Sequence, residues 1–360
     1  MSRRQAPRRA SVAGAGRAPC EPGGGYRNSL RCKNLRRVAR GVIALLLALS
    51  APAAGGERLR ISSSVEAMGT TFSIVAYDES RSRLQGAVDS AFEEVRRIDA
   101  VLSNYREDSE WSRINREAAK RPVPVSGEVF RLLEACRRYS EASGGAFDIT
   151  VGPLLKLWGF YKGSGRVPHR AEIRAVLARI GYEKVILDPG ARTVRFTTPG
   201  VELDPGGIGK GYAVDRMVEI LESAGIRSAL VSGGGSSIYA LGAPPGEEGW
   251  RVEIRHPKSP RRTVETVVLF NESLSTSGSY EKFFYAGGRL YSHIFDPRTG
   301  SPVANGVLSV SVVAPRTIDS EAWTKPFFVR GPDWAARHKP KGFRVFFCLD
   351  GFKVACAWLH

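Results

Sequence analysis

The chain is poor in cysteine, with five in 360 residues. They show no metal-site spacing and are too few for a disulfide framework. It also lacks a long hydrophobic run: "GVIALLLALSA", from Gly41, falls short of the roughly 20 apolar residues that span a bilayer core. No internal repeat and no low-complexity linker follows, which leaves a solenoid or a string of small modules without support. Acids are scarce beside bases, 36 against 53, for a formal charge of +17. That surplus sits at one end. Residues 1–54 contain eleven Lys/Arg and one acid, net +10, so the remainder carries 17 − 10 = +7. With the surplus in the leader and no module of interleaved aromatic and basic residues, the charge argues against a nucleic-acid role.

The basic end precedes the apolar run and a small-residue stretch, "APAAGG", in the order of a Sec-type signal peptide. Cleavage is expected near Ala53 or Ala54, giving a periplasmic or cell-envelope protein, membrane-associated if the leader is retained. The mature part keeps Cys136, Cys348 and Cys356. The last two flank Asp350–Gly351 in a terminal β-hairpin pattern; either one bridge or buried thiols would satisfy them, and the sparse count favours thiols.

From residue 60 to 360 the pattern is that of one α+β domain, with helices packed on mixed sheets. "RISSSVEAMGTTFSIVAYD" alternates as a strand pair, and helical spacing follows in "SRLQGAVDSAFEEVRRIDAVLSNY" and, behind Ser126 as N-cap, in "VSGEVFRLLEACRRYSEAS". "HRAEIRAVLARIG" gives a third helix. "KVILD" and "TVRFT" form a hairpin, "WRVEIRH" and "TVVLF" continue a sheet, "LSVSVVAP" is an apolar strand, and "DSEAWTKPFFVRG" is a helix limited by Pro326.

Between a strand pattern and a helix pattern lies "ELDPGGIGKGYAVD", residues 202–215. Its glycines let backbone amides approach a ligand, and the following helix turns its positive end toward the same place. A phosphate or pyrophosphate is the expected guest. Neither the Walker A spacing nor G-x-G-x-x-G fits, since Asp204 and Tyr212 stand where glycines would be needed. In "SHIFDPRTG", His293 has the chemistry to hold a phosphate or move a proton near neutral pH, while Asp296 before Pro297 suits a turn.

The order and spacing of "GGAFDITVGPLLKLWGF", "ELDPGGIGKGYAVD", "STSGSYEKFF" and "HIFDPRTGSPV" resemble the ApbE-type FAD:protein FMN transferases from about Met68 to Gly331. The resemblance implies an exported, Mg2+-dependent enzyme that splits the FAD pyrophosphate, attaches FMN to Ser or Thr of an exported redox protein, and releases AMP. It places Lys210 near the phosphates, Asp204 on the cofactor, and Met68, Tyr105, Ala146, Phe147 and Asp148 around the flavin or adenine. The backbone near Phe295 would touch FAD, and His293 would be the catalytic group beside the phosphates.

The metal would be held by the Gly207 carbonyl and by the helix of "SEAWTKPFFV". There the family pattern A-D-A-x-x-T puts Glu321 at the Asp and Lys325 at the Thr. Glu321 can serve as an oxygen ligand, whereas protonated Lys325 cannot; it would pair with Glu321 at i,i+4 and stand in for the metal's charge, or Thr324 would ligate instead. Ser236 and Ser279 stand where the pattern has two further acids. A flavin-binding chaperone without transfer activity and an FAD pyrophosphate hydrolase are the competing readings.

Overall fold

The structure, a computed structural model, describes residues 58–161 and 163–360. The leader assigned to residues 1–54 lies outside them. Among the described residues no helix is long and apolar enough to cross a membrane.

An eight-stranded antiparallel sheet organises the chain: β1 (Leu59–Ala67), β2 (Thr70–Asp78), β3 (Ser228–Gly233), β4 (Ser237–Leu241), β5 (Glu272–Gly278), β6 (Val307–Ala314), β7 (Arg344–Leu349) and β8 (Ala355–Trp358). These strands neighbour one another in sequence order. Every other segment is therefore an insertion into one meander. Residues 79–227, between β2 and β3, carry helices α1 (Arg81–Leu102), α2 (Gly127–Ala142) and α3 (Gly209–Ser223), and α4 (Thr317–Arg330) joins β6 to β7.

Period-two alternation decides what each face covers. Phe72, Ile74 and Ala76 of β2 and Ala229 and Val231 of β3 join one core with α1 and α3, while Val310, Val312, Val345 and Phe347 meet Trp323, Phe327 and Phe328 of α4. The intervening residues Val75, Tyr77, Leu230, Leu274, Val313 and Phe346 point the other way, under Trp250, Val252, Ile254, Val267 and Leu269. Those belong to a hairpin, Trp250–His256 with Ser259–Leu269, that forms its own two-stranded sheet. The expectation that these strands extend a larger sheet is corrected, because their apolar faces lid the sheet instead of pairing with its edge.

Two other local expectations change. Pro326 does not limit α4, which runs on to Arg330 and stops at Gly331 with φ +79°. Burial of Phe327 and Phe328 just beyond it offsets the roughly 3 kcal/mol that an interior proline costs a helix. Cys348 and Cys356 are bridged, not free, since they stand directly opposite in the β7–β8 pair. Closing so short a loop, eight residues in separation, limits the unfolded chain by about 2–3 kcal/mol. The double variant Cys348→Ser, Cys356→Ser should lose that much unfolding free energy in a urea titration; an unchanged midpoint would contradict it.

The helices on the first face are joined by charge. Arg97 of α1 bonds Glu94 at 2.8 Å and Glu128 of α2 at 2.7 Å, while Arg216 and Tyr212 of α3 reach Glu94 and Glu128 at 3.1 and 2.6 Å. Hydrogen bonds from Arg97 hold both carboxyls below their ordinary 4.5, with burial opposing. Carboxyls depressed on folding stabilise above the unfolded value and lose that contribution as pH falls through the folded one. Unfolding free energy should therefore drop below about pH 4.5. The double variant Glu94→Gln, Glu128→Gln should flatten that limb, and parallel curves would show that the network does not titrate as described.

Candidate functional site

The glycine loop forms where α3 begins. Asp204 caps a short 3-10 turn, Pro205–Gly207, by accepting from the Gly206 amide at 2.8 Å, and α3 starts two residues later. The other carboxylate oxygen of Asp204 accepts from Tyr161 Oη at 2.6 Å and Asn104 Nδ2 at 3.0 Å. Tyr105, 78 % exposed, lies against Tyr161 with ring centroids 5.7 Å apart. A tyrosine flap, the acid and the loop therefore form one connected edge.

Met68 and Phe147 close on the loop from two other segments. Met68 and Gly69 make the two-residue β1–β2 turn with φ of +52° and +70°, as a type I′ hairpin requires. For methionine that conformation is strained, and its Cε lies 2.9 Å from where a Gly209 Cβ would stand. At Gly207 an added Cβ would lie 3.4 Å from Phe147 Cε2 and 3.7 Å from Lys325 Cε. The loops are also tied by the Asp204 amide donating to the Ile149 carbonyl at 2.7 Å.

Beneath the loop α3 and α4 nearly touch. A Cβ on Gly211 would fall 2.5 Å from the Thr317 carbonyl, so only glycine permits the approach. Across this contact the buried Glu321 accepts from Lys210 Nζ at 2.8 Å and from the Gly211 amide at 2.5 Å. Burial would raise its carboxyl, but Lys210 and Lys325 outweigh burial and hold it below 4.5. Half-buried Lys325 does not form the expected ion pair with the Glu321 carboxylate; its Nζ donates to the Glu321 backbone carbonyl at 3.1 Å. Burial lowers the Lys325 ammonium to about 8, with Glu321 opposing and Lys210 adding to the shift.

These contacts decide the fit of the implied magnesium. Both Glu321 oxygens already face N–H donors. The Thr324 hydroxyl, completely buried, donates to the Glu321 carbonyl and shares a 2.7 Å bond with Ser277 of β5, so its work is to fasten α4 to the sheet. The Lys325 stem passes Gly207, and its Nζ ends on the Glu321 carbonyl. Of the residues named from the sequence as metal ligands, the Glu321, Thr324 and Lys325 side chains are thus committed to partners within the protein and do not fit a divalent cation as they stand.

His293 approaches from the far side, just beyond a hairpin, Phe283–Ala286 with Arg289–Ser292. Its Nδ1 is 3.1 Å from the Lys282 carbonyl. A carbonyl only accepts, so Nδ1 carries the proton and Nε2 keeps a lone pair. Burial lowers the imidazole to about 4; the Lys282 carbonyl opposes this, and the charges of Lys282, Lys325 and Lys210 add to it. At neutral pH the ring is a base. Phe160 lies 6.4 Å away by ring centroids, and Phe295, buried, packs on Phe160 and Trp158. Asp296 is the expected turn former, bonded by the Arg298 amide and guanidinium.

Two residues expected at the pocket face inward. Ala146 is 2 % exposed. Asp148 spends one oxygen on the Thr150 amide and hydroxyl and the other on the Tyr182 amide, while burial raises its carboxyl to about 6 against those bonds. Its carboxylate braces the loop that carries Phe147. Sequence reasoning missed Asn104, Tyr161 and Lys282. Tyr161 follows "KLWGF" directly, and an aromatic with a hydroxyl at the end of that motif was the only signal for it.

The description of the ApbE family matches residues 68–347. A curated FAD:protein FMN transferase of Klebsiella pneumoniae is 33 % identical over 303 residues, covering 80 % of this chain and 84 % of the relative. The crystal structure of the ApbE protein of Thermotoga maritima aligns with TM-score 0.76 at 32 % identity, over 82 % of this chain and 96 % of that one. The flavin transferase ApbE of Vibrio cholerae aligns with TM-score 0.71 at 29 % identity, over 84 % and 97 %.

Proposed function

The chain belongs to the ApbE family and is an FAD:protein FMN transferase, and on that premise we propose that it moves FMN from FAD onto a Ser or Thr hydroxyl of an exported redox protein. The observation that carries the reading is the glycine loop opening α3 with Lys210 in its first turn, and a neutral His293 near enough to feel the charges of Lys210 and Lys325.

In this reading the FAD pyrophosphate rests on the amides at the start of α3, where the helix dipole favours negative charge, with Lys210 beside it. Tyr105 and Met68 border the rings, Asp204 and the backbone near Phe295 add polar contacts, and Phe147 shapes the wall on a loop braced by the buried Asp148. The acceptor hydroxyl oxygen attacks the FMN-side phosphorus, the bond from that phosphorus to the bridging oxygen breaks, and AMP leaves with the electron pair. His293 Nε2 takes the hydroxyl proton. Fixed amides and ammonium groups suit this step, because phosphoryl transfer depends mainly on positioning and charge stabilisation. Magnesium belongs to the family pattern, but the Glu321, Thr324 and Lys325 side chains, bonded within the protein, do not fit it. The Cys348–Cys356 bridge supports an oxidising compartment such as the periplasm.

FAD should bind more tightly than FMN, since the loop and Lys210 act on the pyrophosphate; equal dissociation constants by fluorescence quenching would remove that assignment. Chromatography of the products tests the reaction class. AMP should appear in step with modified acceptor. AMP with free FMN in the absence of acceptor would mean a hydrolase, and FAD bound without AMP under any condition would mean a carrier.

A further inference from the structure

The transfer step above makes no use of Lys325. Its Cε lies 3.7 Å from the Cβ position of Gly207 in the glycine loop, and its Nζ is anchored on the Glu321 carbonyl at 3.1 Å. On the other side of the same glutamate Lys210 donates to Oε1 at 2.8 Å. Two ammonium groups thus hold one buried glutamate, Lys325 at its backbone carbonyl and Lys210 at its carboxylate, whose second oxygen is satisfied by the Gly211 amide. Counting these three side chains, the charge facing the loop is +1, and the Lys282 ammonium adds to it from the side of His293. Asp204 is the opposing acid, with its oxygens committed to Gly206, Tyr161 and Asn104.

Resting on the flavin-transferase reading, we propose that Lys325, together with Lys210, supplies as a fixed ammonium the positive charge at the FAD pyrophosphate, so that this chain binds FAD without a divalent cation. An ammonium on a half-buried stem needs no recruitment from solvent and brings hydrogen-bond donors as well as charge. The surrounding chain agrees. Ser236 in the β3–β4 turn and Ser279 after β5 are neutral, the Ser279 amide being pinned to the Leu308 carbonyl at 3.0 Å. The Thr324 hydroxyl is spent on Ser277. Among the described residues the carboxylate acting on Lys325 is that of Glu321, already neutralised by Lys210.

The experiment is FAD binding by fluorescence quenching, with excess chelator and again with excess magnesium, on the wild-type chain and on Lys325→Met, which keeps the apolar stem, and Lys325→Thr. Wild-type curves should superimpose in the two buffers. In chelator both variants should bind FAD roughly 10- to 100-fold more weakly, the range for loss of a charge-assisted contact, and magnesium should recover part of the loss in Lys325→Thr. Thermal melts establish that the variants are folded. Wild-type binding that tightens on adding magnesium, or folded Lys325→Met with wild-type affinity in chelator, would overturn the proposal while leaving FAD as the ligand. No FAD binding by the wild type in either buffer would overturn the flavin-transferase reading and this inference with it.

Discussion

Replacing His293 by alanine should slow FMN transfer by roughly 10²- to 10⁴-fold, the usual yield of a positioned general base, and leave FAD affinity nearly unchanged. The imidazole's Nδ1 proton is committed to the Lys282 carbonyl, so the ring has one free lone pair to offer. Its depressed value of about 4 adds a second readout. Activity governed by the neutral ring should fall only as pH drops toward about 4, instead of from the ordinary value near 6.5. A wild-type acid limb centred near 6.5 would mean that the ring is more exposed to water in the working enzyme. Loss of FAD affinity in His293→Ala at unchanged single-turnover rate would make His293 a binding residue.

The second large effect belongs to Lys210. Lys210→Ala should weaken FAD binding by about 10- to 150-fold, corresponding to about 1.5–3 kcal/mol for a hydrogen bond to a charged group. FMN binding should change much less. The variant also removes the Lys210–Glu321 pair, leaving a buried carboxylate with only Lys325 to balance it nearby. Stability should fall too, since breaking one side of a buried pair strands its partner. Titrating FAD into Lys210→Ala and Lys210→Arg separates the effects: arginine retains charge and should recover most of the affinity. If both variants bind FAD as the wild type does, Lys210 serves Glu321 and not the cofactor.

Much of the fold was legible because its signals are local. Ser126 caps α2 by accepting from the Val129 amide as its position suggests, and alternation in β2 sorts side chains between the two faces of the sheet. The glycine loop was legible for the same reason, as glycines crowd where backbone must approach something closely. What sequence could not supply were partners distant along the chain. Asp204 meets Asn104 and Tyr161, 100 and 43 residues away, and no spacing rule connects them. Thr324 looked like a metal ligand beside Glu321 until the sheet placed Ser277 under it. Lys325 sits at i+4 from Glu321, which invites a salt bridge, yet Lys210 from α3 reaches that carboxylate instead.

The most direct test is covalent flavinylation. The chain, incubated with FAD and an exported redox subunit as acceptor, should leave a fluorescent flavin band on the acceptor in a denaturing gel. The band should be absent when FMN replaces FAD or when His293→Ala replaces the wild type over the same time. An acceptor that becomes fluorescent with the Klebsiella pneumoniae relative in a parallel reaction, but stays dark with this chain, would contradict the transferase account.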